Sequence, residues 1–313
     1  MKLIFAKKSF SLFYNFVFGL LHSIVTGDSY CNPQSAHLYS SVRSGGGGRM
    51  EFISRQSAVG KRDNKVQLYS AWYCPYAQRA WIALAFKNVD FGWVECSLYE
   101  GSPSSKRALT IEEKEARTPG FTRISPRGLV PALFHNGHGV CDSIPLVEYI
   151  EEAFPTATGG SLLPQHDVVE RARIRTGISL FNELVIRRFY ALLMTPSEES
   201  AAALLKGYQE MASYFAPDVF FSSSHGFSMF EVSCLPWYQR TLSVLRTYRD
   251  FVLPDDTCPS CARLSHWYHA CLAVPAFADT IVDEAELIAN YAGYADNSAA
   301  NNCSALMGGK RAA

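Results

Sequence analysis

The chain carries no net charge. Its 29 basic and 29 acidic side chains cancel over 313 residues, which leaves no electrostatic footprint for nucleic acid. It also lacks the disulfide framework of a small secreted domain. Nine cysteines run from Cys31 to Cys303 at irregular intervals, which reads more simply as free thiols in a reducing, cytoplasmic setting. A comfortable membrane span is missing: Ser9 to Gly27 holds no Asp, Glu, Lys or Arg, but it is short of the ~20 apolar residues that spanning needs. Arginine is absent from residues 1–27, which argues against a mitochondrial-type presequence. The Gly45-Gly46-Gly47-Gly48 run is not a phosphate loop, because no strand precedes it and no Gly-Lys-Ser/Thr follows.

What is present begins with a basic start and an apolar stretch that includes Phe10, Leu12, Phe13, Phe16 and Leu20. This resembles a signal or anchor segment, and membrane contact follows only if residues 1–27 are retained. A further reading has the chain start at Met50, with the earlier residues an extension. Residues 28–63 are polar and glycine-rich and read as a flexible linker. Residues 1–63 therefore stand apart from the fold.

From Lys65 the pattern tightens around Cys74-Pro75-Tyr76-Ala77-Gln78-Arg79. A β-prone run at 66–72 precedes this stretch and a helix-prone segment at 75–88 follows it. The cysteine thus sits where a strand hands over to a helix, with Pro75 suited to the first turn. A helix N-terminus favours the thiolate and lowers the thiol pKa, whereas a lone cysteine is otherwise a small buried hydrophobe. A second β-prone run at 91–98 completes a β-α-β unit. The charged stretch 99–118 reads partly as a solvated helix from Lys106 to Arg117. Pro126-Arg127-Gly128 signals a turn into a strand interrupted by Pro131, which a cis Val130–Pro131 bond would accommodate. His135-Asn136-Gly137-His138-Gly139 is a hairpin turn. Asp142-Ser143 caps a helix over 144–152.

Residues 155–166 read as a linker, and helices follow it. Ile174, Ile178, Phe181, Val185, Phe189 and Leu192 form one helical stripe. A second helix covers 198–216. Ser228 and Glu231 make a capping box for a third, reaching about Tyr248. A fourth runs from Cys261 to Leu272 and a fifth from Pro275 to Tyr291. Residues 295–313 read as a tail.

Read in order, these pieces resemble the glutathione transferases, and among them the cysteine-type, omega-like branch that includes dehydroascorbate reductases. The stretches that carry the resemblance are Cys74 to Arg79, Ser125 to Leu133, Asp142 to Ile150, Ser161 to Pro164, the capping box, and Leu235 to Arg240. The resemblance implies an α+β fold. A thioredoxin-like, glutathione-binding domain (βαβ-ββα) would occupy 64–157 and an all-helical glutathione-transferase domain 158–294. It also implies glutathione as co-substrate, no metal, a small-molecule or protein mixed-disulfide substrate, and a homodimer. Cys74 corresponds to the nucleophile. Val130, before Pro131, would pair its backbone with the cysteinyl part of glutathione. Asp142 would hold the γ-glutamyl ammonium and Ser143 the γ-glutamyl carboxylate. Tyr76 belongs to the same binding set. Arg117, with Arg123 as the nearby alternative, would face the glycyl carboxylate. Trp237, Tyr238 and Arg240 are candidates for a second-substrate pocket, with core packing as the competing reading. Two departures stand out: the connection from Leu98 to Ile124 is long and charged, and Asp142 stands where the omega pattern has Glu.

The expected activity is a glutathione-dependent thiol transfer or dehydroascorbate reduction. Conjugation of electrophiles and a non-catalytic assembly role remain as alternatives. Ala77 stands where a dithiol reductase would carry a second cysteine, so the site is monothiol and a mixed disulfide needs a second glutathione to resolve it. Cys141 reads as a buried strand residue or, alternatively, as a resolving neighbour. Cys258-Pro259-Ser260-Cys261 is a C-x-x-C followed by His266, His269 and Cys271. Zinc, redox and ordinary helix readings all apply to it.

Overall fold

In the computed structural model, residues 66–155, 160–215, 219–222 and 224–296 are described. The readings of residues 1–63 and of the tail beyond 296 lie outside them. Among the described residues no helix is long and apolar enough to cross a membrane.

β1 (Val66–Ser70) alternates, with Val66, Leu68 and Ser70 buried, the period-2 signature of a strand with one face inward. It pairs in parallel with β2 (Gly92–Glu95). A parallel pair needs a crossover, and α1 (Pro75–Phe86) supplies it. Then comes a two-stranded hairpin, β3 (Tyr99–Ser102) and β4 (Ser105–Ala108). α2 (Ile111–Arg117) opens on a capping box between Thr110 and Glu113, and the single turn α3 (Phe121–Ile124) follows. β5 (Ala132–His135) runs antiparallel to β1 and to β6 (His138–Cys141). The main sheet therefore has the order β2-β1-β5-β6. Asn136 and Gly137, the turn between β5 and β6, both have positive φ, 51° and 85°, as a tight hairpin requires. α4 (Ser143–Ala153) closes this half.

The charged stretch departs from expectation. Residues 106–108 are strand, not helix, and Lys106 is buried rather than solvated. Its ammonium donates to the Asn290 carbonyl at 2.6 Å and to its side-chain oxygen at 3.1 Å. It also lies 4.4 Å from the Tyr294 ring centre, 5.2 Å from that of Tyr99 and 5.6 Å from that of Tyr73. Cation–π contacts and a distant carbonyl thus hold a lysine that local sequence would leave in water.

The helical half begins with α5 (Val168–Phe181), which passes through a π-helical turn at Asn182–Ile186 into α6 (Arg187–Met194). The expected stripe from Ile174 to Leu192 is buried throughout. α7 (Glu198–Ser213) follows. α8 (Met229–Arg240) continues through a second π-helical turn, Thr241–Leu245, into α9 (Arg246–Arg249). Its box is as expected: Glu231 accepts from the Ser228 backbone N–H at 2.8 Å and from its hydroxyl at 2.6 Å. α10 spans Pro259–Leu272.

The expected fifth helix, Pro275 to Tyr291, is two pieces, α11 (Pro275–Ala278) and α12 (Glu284–Asn290), and the short α13 (Ala292–Ala295) lies beyond it. The break has a local cause and a distant one. Asp283 caps a new start by accepting from the Glu286 N–H, and the Thr280 carbonyl turns aside to accept from Gln78.

One apolar core runs from Val66 and Leu68 through Trp81, Phe181 and Trp237 to Trp267 and Leu287. α1 lies at its centre. Pro75 and every residue from Ala77 to Leu84 are buried, as befits a helix with packing on all sides.

Candidate functional site

Cys74 is the N-cap of α1, extended at φ −80° and ψ 120°, with Pro75 as the first helical residue. Its backbone N–H donates to the Ala71 carbonyl at 2.9 Å, and its own carbonyl accepts from Gln78 at 3.0 Å. The side chain is half-buried and packs in a small apolar cluster with Ala77, Val130, Ala132 and Cys141. The Val130–Pro131 bond is cis. Val130 lies beyond the last β1–β5 pair, Tyr69 with Ala132, so its peptide is outside that ladder. Lys114, a buried cation that sequence reasoning passed over, donates to the Gly128 carbonyl at 2.9 Å and braces the turn leading to Val130.

The expectation of a lowered thiol pKa is corrected. Burial is the dominant influence on Cys74 and pushes its thiol up, since desolvation disfavours the charged form. The backbone N–H groups of Ala77 and Tyr76, then Arg240 and Arg79, act in the opposite direction without overcoming it. The two backbone N–H groups nonetheless hydrogen-bond the sulfur, and the arginines act on it through their charge.

Those two arginines are the main residues that the local reading underused. Arg79 is buried on α1. It donates to the Ser233 carbonyl at 2.9 Å, to the Ser143 hydroxyl at 3.0 Å and to the Asn182 side-chain oxygen at 3.1 Å. Its guanidinium carbon lies 4.4 Å from the Trp237 ring centre. The π-helical turn after α5 is what carries Asn182 to this point. Arg240 is equally buried. It donates to the Tyr73 carbonyl at 2.9 Å, to Gln78 at 2.7 Å, to the Pro236 carbonyl at 2.8 Å and to the Tyr291 hydroxyl at 2.9 Å. Among the described residues neither arginine forms an ion pair. Two buried cations near one half-buried sulfur, hydrogen-bonded to neutral groups, favour negative charge on that sulfur.

The other expected site residues divide. Ser143 is buried and is the first residue of α4. Its hydroxyl accepts from Arg79, which leaves its own proton free to donate. Asp142 is exposed and caps α4 from φ 75° and ψ 137°, a conformation that non-glycine residues rarely hold and one often kept at binding sites. Its carboxylate accepts from the Ser143 N–H at 2.6 Å. Tyr76 is half-buried, edge-on to Trp237 at 4.7 Å. The structure thus brings Cys74, Tyr76, Val130, Pro131 and Ser143 around the start of α1.

Arg117 is placed differently. It is exposed and pairs with Glu100 at 2.7 Å, in a surface cluster with Arg107 and Glu113. Arg123 is also exposed. Trp237 and Tyr238 do not line an open pocket. Both are fully buried, Trp237 under Tyr76 and Arg79, and Tyr238 edge-on to Tyr208 and Trp267. Large rings on an all-buried helix fill the core. Arg240 is likewise an internal clamp on the residue before Cys74 and not a pocket wall. His266 and His269 are exposed. Among the described residues no group of three potential metal ligands gathers.

Comparison with known proteins adds a lineage. The family profile described as "Glutathione S-transferase, N-terminal domain" matches residues 73–153. Glutathione S-transferase U15 of Arabidopsis thaliana is 34% identical over 153 residues, 49% of this chain and 57% of that protein. The chain thus spans little more than half the length of that relative. Glutathione S-transferase L3 of the same plant is 27% identical over 230 residues, 72% of this chain and 86% of that one. Among solved structures, glutathione transferase Omega 3C from Trametes versicolor superposes with a TM-score of 0.64 at 23% identity. That superposition covers 79% of this chain and 96% of the other. At that identity the likeness is one of fold: a thioredoxin-like half with a mixed sheet, then a helical half.

Proposed function

For a chain that belongs to the glutathione S-transferase family, we propose a glutathione-dependent thiol transferase that works through the single thiol of Cys74. The observation that carries this reading is the position of Cys74 at the start of α1, beside Val130 and within the electrostatic reach of two buried arginines that form no ion pair among the described residues.

Glutathione binds with its cysteinyl backbone along Val130, as an added strand would. Ser143 donates its hydroxyl proton to the γ-glutamyl carboxylate, with Arg79 fixing that hydroxyl from behind. The N-terminus of α4 adds its dipole, and Asp142 takes the ammonium. Neither exposed arginine before the turn is within the set that touches Cys74, and the glycyl contact is left unassigned.

The Cys74 thiolate attacks the glutathione sulfur of a mixed disulfide. The Cys74–glutathione S–S bond forms, the original S–S bond breaks, and the departing thiolate takes a proton. A second glutathione, as thiolate, attacks the glutathione sulfur bound to Cys74. Oxidised glutathione leaves and the Cys74 thiolate is restored. Dehydroascorbate would enter by a different first step, in which the Cys74 thiolate adds to a carbonyl carbon. A glutathione thiolate then attacks the Cys74 sulfur, and the C–S bond breaks with its electron pair and protons going to the departing ascorbate. The Cys74–glutathione disulfide so formed is resolved as above. Reducing surroundings such as the cytoplasm, and assembly as a homodimer, fit this cycle and the family.

The test is the mass of the protein before and after oxidised glutathione, for the wild type and Cys74→Ser. With each adduct mapped to its peptide, a Cys74 adduct that excess glutathione removes, absent from Cys74→Ser, is the expected result. A wild type that carries nothing on Cys74 would overturn the proposal.

A further inference from the structure

The start of α1 has a counterpart in the helical half. Cys258 is the N-cap of α10, extended at φ −121° and ψ 106°, with Pro259 as the first helical residue. This is the local arrangement of Cys74 and Pro75, with one difference in sequence: Ala77 has no thiol, whereas the residue three after Cys258 is Cys261. Helical geometry puts Cα atoms three residues apart about 5 Å from one another, within the Cα span that a disulfide tolerates.

We propose that Cys258 and Cys261 form a second redox centre, a dithiol independent of Cys74 that reduces low-molecular-weight disulfides and closes to an intramolecular disulfide.

The two sulfurs have opposite surroundings, which divides the labour. Cys258 is half-exposed, and Gln209 on α7 donates its side-chain N–H to the sulfur at 3.5 Å. The Cys261 thiol and then Gln209, followed by backbone N–H groups of the first turn, hold Cys258 below the ordinary thiol range. Cys261 is fully buried, and burial pushes its thiol up to about 12. The exposed sulfur is therefore the attacking group and the buried one the resolving group.

The steps balance. The Cys258 thiolate attacks one sulfur of an oxidised low-molecular-weight thiol. A Cys258 mixed disulfide forms, and the other half leaves as a thiolate that takes a proton. Cys261 gives up its proton to solvent and attacks the Cys258 sulfur. The Cys258–Cys261 bond forms and the second half leaves as a thiol. The protein loses two hydrogens and the substrate gains them. Two thiols of the glutathione class, or one dithiol such as dithiothreitol, reverse the sequence.

The experiment uses the full chain carrying Cys74→Ser, so that failure of the Cys74 proposal does not affect it. The protein is incubated with oxidised glutathione, free thiols are blocked, and peptides are mapped by mass spectrometry. The expected product is a Cys258–Cys261 disulfide with no glutathione retained at either residue. Adding Cys261→Ser is expected to trap one glutathione on Cys258, removable with dithiothreitol. In the reduced protein, Cys258 should alkylate at least about tenfold faster than Cys261. Both thiols remaining alkylatable, or glutathione persisting on Cys258 while Cys261 is present, would overturn the proposal.

Discussion

Cys74 is the residue on which opposing influences meet. Its backbone places the sulfur at a helix start, where free N–H groups stabilise a thiolate. The apolar cluster around it removes water and favours the thiol. Burial wins, so the sign is fixed: the thiol persists through neutral pH and ionises only above its ordinary value. Alkylation of Cys74 by iodoacetamide, read on the Cys74 peptide, is therefore expected to accelerate with pH past the ordinary thiol range. A plateau at or below neutrality would contradict this. Arg240 lowers the thiol from its place on the Tyr73 carbonyl. Arg240→Met should move the midpoint of that alkylation profile further up. It should also cost about 3 kcal/mol of stability, since Gln78 and the Tyr73 carbonyl lose a charged partner in a buried setting. An unmoved midpoint in a folded variant would remove Arg240 from the thiol's environment.

At the scale of elements, α8 shows how much one cap can carry. Glu231 forms no ion pair among the described residues and accepts four bonds: two from Ser228, one from the Phe221 N–H at 2.9 Å and one from the Trp267 indole at 3.1 Å. The carboxylate therefore ties the start of α8 to the segment before it and to α10. Glu231→Ala strands all four donors in the core. The expected loss is about 3 kcal/mol in denaturant unfolding, above the ~1 kcal/mol typical of an exposed cap. A loss at the exposed-cap value would mean that water or neighbouring groups replace the carboxylate. The hairpin β3–β4 is a second element defined by where it docks. The Gly293 N–H donates to the Pro103 carbonyl at 2.9 Å, and Tyr294 donates to the Tyr99 hydroxyl at 2.7 Å. With Lys106, these contacts fasten the long connection to α13 at the far end of the chain, beside Tyr73.

For the described residues as a whole, the two halves share α1. Its residues pack against α4 on one side and against α8 and α11 on the other. Gln78, Arg79 and Lys87 each cross to the later half or to the segment joining it. Lys87, fully buried, pairs with Glu151 at 2.7 Å and donates to the Gly160 carbonyl. A core continuous across both halves predicts one cooperative transition. Unfolding followed by tryptophan fluorescence and by far-ultraviolet circular dichroism should coincide. Separated midpoints would show that the halves unfold independently.

Much of the local architecture was legible in the chain. The strand-to-helix handover at Cys74-Pro75, the Asn136-Gly137 hairpin, the cap at Asp142 and the box at Ser228 and Glu231 each depend on a few neighbouring residues, and they form where those residues stand. The stripe from Ile174 to Leu192 was equally readable, because helical period is a local property. Other features needed the fold. Lys106 looks solvated until Asn290 and three tyrosines surround it. The fifth helix looks continuous until Gln78 draws the Thr280 carbonyl aside. Trp237 and Tyr238 read as either pocket or core until packing closes over them. Arg240, 167 positions from the carbonyl it holds, and the upward direction of the Cys74 thiol belong to the same class. Sequence by itself determined where chain direction changes and that Cys74 begins a helix. Tertiary structure decided which charges lose water and what they meet instead, because desolvation and Coulomb terms depend on neighbours that the order of residues does not place together.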